Sequence, residues 1–138
     1  MKKHFPLICI VALLAITTLS NCNKDNDSNS DNSPAGGIAG LYRNATYMYD
    51  ITVTKVDNNT VSISIDNYLG FNTTTMNSAT TFTLNKVNQE DSDNRYEYTG
   101  NGSCSNGNIS VTVETKVTDK QSGDVNTSTE FYTGSKVN

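Results

Sequence analysis

Few residues in this chain could do chemistry, and their placement argues against most kinds. The 138 residues contain one histidine, His4, at the extreme N-terminus in a segment read below as removed. Without it a serine or cysteine nucleophile lacks its imidazole base, and zinc lacks its usual nitrogen ligand. The three cysteines are Cys9, Cys22 and Cys104. Cys9 lies in an apolar run, Cys22 follows the sequence Leu19-Ser20-Asn21, and Cys104 is expected to stand alone in the domain as a small half-buried thiol with no intramolecular disulfide, a disulfide between two copies being the alternative. Glu90, Asp91, Asp93 and Asn94 offer oxygens to Ca²⁺ but lack the glycine and distal glutamate of a helix-loop-helix site, so they read as a solvated hairpin tip. Glu97, Glu114 and Glu130 each alternate with apolar neighbours and are expected to face water, not one another across a cleft. No catalytic residue, metal ligand or cofactor is therefore expected.

The N-terminus carries chemistry of another kind. Met1-Lys2-Lys3-His4 is a short positive start, and Leu7–Ile16 is an unbroken apolar run of ten residues. A spanning helix needs about 20, so the run reads as a secretory signal. Leu19-Ser20-Asn21-Cys22 resembles the bacterial lipobox, with Asn21 in place of the usual Gly, Ala or Ser. The resemblance implies cleavage between Asn21 and Cys22 and a lipid thioether on Cys22. Residues 1–21 are then a signal peptide and 22–37 a polar tether, rich in Ser, Asn and Asp and closed by Pro34-Ala35-Gly36-Gly37. Lys24 followed by Asp25 and Asp27 resembles the surface-export signal of Bacteroidota lipoproteins, which implies an outer-membrane lipoprotein at the cell surface, with the periplasmic face as the alternative.

Charge fits that reading. Of ten basic residues Lys2 and Lys3 leave with the signal, and eight remain against fourteen acidic ones, a formal charge of −6. Such a chain has no footprint for nucleic acid, and lipid rather than charge must hold it at a membrane.

The remaining residues, 38–138, make one small domain of alternating strands. Tyr49, Ile51 and Val53 share a face, as do Val61, Ile63 and Ile65, then Phe82 and Leu84, Tyr96 and Tyr98, and Ile109, Val111 and Val113. Asp57-Asn58-Asn59, Ser105-Asn106-Gly107 and Ser122-Gly123-Asp124 are hairpin turns. The pattern predicts seven strands, 39–47, 49–57, 60–67, 80–88, 95–104, 108–119 and 125–137, with an eighth at 70–76. Short turns and no long crossover favour an all-β antiparallel up-and-down meander closed into a barrel, since closure removes edges. A two-sheet sandwich is the alternative.

Ile38-Ala39-Gly40-Leu41-Tyr42 and Phe131-Tyr132-Thr133-Gly134-Ser135-Lys136 resemble the first and last strands of calycin-type, lipocalin-like barrels. There a Gly-x-Trp packs at the closed end beneath a cation from the last strand; here Tyr42 replaces the Trp. The resemblance implies that Gly40 and Tyr42 belong to the closed end and that Lys136 covers it, with Arg43 as the competing cation. Tyr49, Tyr96, Tyr98, Phe82 and Phe131 compete for the interior, so a large cavity is not expected. Tyr47, Tyr68 and Tyr132, if exposed, suit stacking on a sugar or peptide.

The expected function is non-catalytic binding by a membrane-anchored module. One form takes a small apolar or amphipathic ligand inside a lipocalin-like barrel. The other contacts a protein or glycan at the surface, as an accessory subunit or enzyme inhibitor. An open cavity favours the first and a filled interior the second.

Overall fold

The computed structural model describes residues 31–66 and 69–137. After a short helix α1 (Pro34–Ile38) the chain forms eight strands: β1 (Gly40–Asn44), β2 (Tyr49–Lys55), β3 (Thr60–Ile65), β4 (Leu69–Met76), β5 (Thr81–Glu90), β6 (Asn94–Ser105), β7 (Asn108–Asp119) and β8 (Val125–Lys136). Each pairs antiparallel with its neighbour in sequence, and β8 returns to β1, so the sheet is a closed up-and-down barrel rather than a sandwich.

Alternation builds the core. Ile51, Val53, Val61, Ile63, Ile65, Ile109, Val111 and Val113 are all buried, and Tyr42, Phe71 and Phe82 are wholly enclosed with them. Gly102 makes room for Phe82: a Cβ there would stand 2.3 Å from the ring and 2.5 Å from the Ser110 carbonyl.

The eighth strand, β4, is present, and its pattern shows why it was hard to read. Leu69 and Phe71 face in, Asn72 and Thr73 are both exposed, and Thr74 and Met76 face in again. One extra residue opposite Val61–Ile63 makes a bulge that shifts the inward phase. A second bulge on β5 between Leu84 and Val87 carries Val87, not Lys86, to the face of Tyr98. Thr74 is the one buried polar residue, and no partner is shown for its hydroxyl among the described residues.

Two expectations need correcting near the N-terminus. The composition predicts a tether as far as Gly37, yet Pro34–Ile38 is helical with Ala35 and Ile38 buried. Ser33 caps this turn by accepting the Gly36 N–H, and Pro34 opens it. The first strand, drawn to residue 47, stops at Asn44, whose side-chain oxygen accepts the N–H groups of Thr46 and Tyr47 and starts the turn.

The barrel is lopsided. β1–β4 run five to eight residues, whereas β5–β8 run ten to twelve. β4 meets β5 only at Phe82–Leu84, and β1 meets β8 only at Ser135–Lys136. The far halves of β5–β8 therefore rise past the barrel as a four-stranded wall with two open edges. Lys120 ties its two hairpin tips together, donating its N–H to the Asp93 carbonyl and its ammonium to the Asp91 carbonyl.

Candidate functional site

Two ends of the barrel carry distinct chemistry. At the closed end α1 lies beside the β2–β3 turn, where the Ala35 N–H donates to the Asn58 carbonyl. Tyr42 reaches across the core and donates its hydroxyl to the Ile38 carbonyl at 2.6 Å, holding the helix over the barrel. Burial pushes the Tyr42 phenol up to about 12. Gly40 takes φ +149°, a conformation L side chains rarely adopt, and the Lys136 stem occupies the space a Cβ would need, 2.7 Å away. Gly40, Tyr42 and Lys136 are thus brought together, with Lys136 paired opposite Tyr42. Arg43, the competing cation, points outward and grips Asp50 through two hydrogen bonds of 2.8 and 2.9 Å.

Cys104 lies at this end, its sulfur 3.3 Å from the Tyr42 hydroxyl. In the full chain, residues 1–21 included, it is disulfide-bonded and not the lone thiol expected for the processed domain; no other cysteine lies among the described residues. Asn21 and Cys22, the expected cleavage and lipidation site, lie outside the described residues, as does Tyr68.

The open end is the inner face of the wall. The pairing aligns Val87 with Tyr98, Thr115 and Ser128 in one row, and Gln89 with Tyr96, Val117 and Asn126 in the next. Because the residues of a row point the same way, a tyrosine ledge stands at mid-wall between amide and hydroxyl groups. The Tyr96 and Tyr98 rings are parallel within 8° with centroids 6.3 Å apart. Tyr96 donates its hydroxyl to Asp91 at 2.8 Å, and that carboxylate raises the phenol above its ordinary value. At the foot of the ledge Tyr132 packs edge-on to Tyr49 with centroids 5.6 Å apart and donates to Glu130 at 2.5 Å.

Several side chains sit elsewhere than the sequence suggests. Phe131, expected to compete for the interior, is 73% exposed on the outer face, and its neighbour Tyr132 is the buried one. Cross-strand pairing decides this: Tyr132 is opposite the inward Val111, and Phe131 opposite Thr112. Glu130 is exposed to water as expected, although its place in β8 puts it on the same face as Tyr132. Glu97 faces outward and is gripped by Lys86, which lowers its carboxyl below the ordinary range. The Asp91 carboxylate is spent on the backbone N–H groups of Asp93 and Asn94, as a turn requires. Among the described residues no group of His, Cys, Asp or Glu is arranged to hold a metal ion.

Two hollows open to solvent on the outer wall. One, of about 580 Å³, is lined by Arg43, Thr46, Ser105, Asn108, Ser110 and Thr133 among others. The other, of about 430 Å³, lies over Lys86, Asn88, Arg95 and Glu97. No protein-family model matches the chain, and no curated protein or solved structure is significantly similar to it.

Proposed function

We propose that the protein is a lipid-anchored, non-catalytic binding module of the outer membrane that holds a glycan on the tyrosine ledge of its wall. The observation that carries this reading is the division of labour in the fold. The barrel interior is packed with Tyr42, Phe71, Phe82 and aliphatic side chains, while the half-buried Tyr98 packs against the margin of that core and the half-buried Tyr96 stands beyond it. A sugar offers a C–H face to an aromatic ring and hydroxyls to amides and carboxylates. The ledge supplies both partners: Tyr96 and Tyr98 for the face, Gln89, Asn126, Ser128 and Glu130 for the hydroxyls.

The tether enters at α1, by the closed end, and the wall tips lie at the opposite end of an up-and-down barrel. A small apolar ligand inside the barrel, the other expected form, would have to displace core side chains.

The test is a glycan array probed with the lipidated full chain in nanodiscs, followed by titration of any retained sugar. Loss of one stacking ring in Tyr96→Ala, and separately of the amide in Gln89→Ala, should each weaken binding roughly three- to tenfold. Retention of no sugar, or equal binding by both variants and the parent, would refute the glycan reading. Labelled palmitate should enter the parent chain and not Cys22→Ala.

A further inference from the structure

We propose that two copies of the protein pair through the open edge of β8, centred on Ser128, so that two walls join into one eight-stranded sheet. The backbone directions fix which groups the edge offers. Lys136 donates its N–H to Gly107, and Asp119 donates to Asp124, so even-numbered residues of β8 bond toward β7. Odd-numbered residues face the other way, as Val137 does in donating to Leu41 on the β1 side. The barrel satisfies this edge only as far as Thr133. There the Tyr49 hydroxyl accepts the Thr133 N–H at 2.8 Å, and Tyr49 and Asn44 donate to its carbonyl. Beyond it the outward N–H and C=O groups of Phe131, Thr129, Thr127 and Val125 meet no strand among the described residues.

Of the devices that normally block strand addition the edge carries a single charge, Glu130. The wall's other edge carries more: β5 has a bulge at Leu84–Val87, and Lys86 and Glu90 stand along it. β8 from Val125 to Phe131 has regular pairing, no proline, glycine or lysine, and residues exposed on both faces.

The sequence of that edge is complementary to itself. Antiparallel pairing about Ser128 sets Val125 opposite Phe131 and Thr127 opposite Thr129 on the outer face, each twice by symmetry. Aromatic with β-branched and Thr with Thr are favourable cross-strand pairs. Phe131 and Val125, 73% and 51% exposed in the single copy, then cover each other. On the inner face Glu130, the one charged residue of the edge, meets Asn126 and not its own copy. All four odd-numbered residues fall in hydrogen-bonded pairs in this register, for about eight backbone bonds. The two-fold axis stands perpendicular to the sheet, so both tyrosine ledges face the same side.

The experiment is oxidative cross-linking of the full chain in its own membrane. Ser128 meets its copy in a non-hydrogen-bonded pair, where Cα atoms lie about 4.5 Å apart, within disulfide range. Ser128→Cys should give a covalent homodimer, and Asn126→Cys, which meets Glu130, several-fold less. Thr129→Pro removes an outward N–H and no bond to β7, so it leaves the single copy folded. It should convert the detergent-released dimer to monomer in sedimentation while its circular dichroism is unchanged. No homodimer from Ser128→Cys, a disulfide to a different protein instead, or a dimer indifferent to Thr129→Pro would each overturn the proposal.

Discussion

Tyr42 is the residue on which the closed end turns. It fills the bottom of the barrel and ties α1 to it through one hydroxyl. Tyr42→Phe keeps the ring and orphans the Ile38 carbonyl, so it should lower stability by about 1–2 kcal/mol in urea unfolding. The raised phenol adds a signature in pH. A group that ionises at about 12 folded and 10.0 unfolded holds its proton more tightly in the folded state. Its contribution is complete below pH 10 and is lost as pH rises toward 12, by up to about 2 kcal/mol. The parent should therefore weaken over that window, and Tyr42→Phe should lose this part of the slope.

At the scale of elements, what was legible followed from period-two alternation. Ile51 and Val53, Val61 to Ile65 and Ile109 to Val113 gave three strands and their inward faces because nothing interrupts their pleat. Legibility failed where the pleat breaks. The bulge in β4 puts Asn72 and Thr73 both outside, so no single alternation runs from Leu69 to Met76. Phe131 and Tyr132 are adjacent aromatics, and only the pairing with β7 says which is inside. Helix α1 is one turn containing two glycines, with no room for a helical period, although Ser33-Pro34 is a start signal. The tyrosine ledge could not be read, because it needs the register of β5, β6 and β7 together and a bulge that brings Val87 onto its face. α1 is nonetheless core: Ile38 is wholly buried. Ile38→Ala should cost about 2–4 kcal/mol, read as a lower urea midpoint at unchanged slope.

For the whole molecule, acidity and shape act together. Lys55 holds Asp31 at about 2, and Arg43, the backbone N–H groups of the turns and Lys86 hold Asp50, Asp57, Asp91, Asp119 and Glu97 below their ordinary values. These depressed carboxyls support the fold fully above the unfolded values of 3.8 and 4.5, and that support is lost as pH falls through the folded values. Thermal midpoints should hold level from pH 7 to about 5 and decline steadily toward pH 2. Salt should have little effect on the midpoint near neutrality, because the ion pairs involved are exposed and individually weak.

The protein proposed here is an anchored module whose barrel is solid and whose binding surface lies outside it. Native mass spectrometry of the chain released from its own membrane in detergent tests this most directly. The expected result is a chain mass beginning at Cys22 with covalent acyl groups, and no apolar molecule lost on denaturation beside the second copy of the chain or a bound sugar. The peptide containing Cys104 also bears on the claim, since one sulfur at Cys22 cannot carry both a lipid thioether and a disulfide. A bound lipid or other apolar molecule of a few hundred daltons released on denaturation, or an unacylated Cys22 in disulfide with Cys104, would contradict this reading.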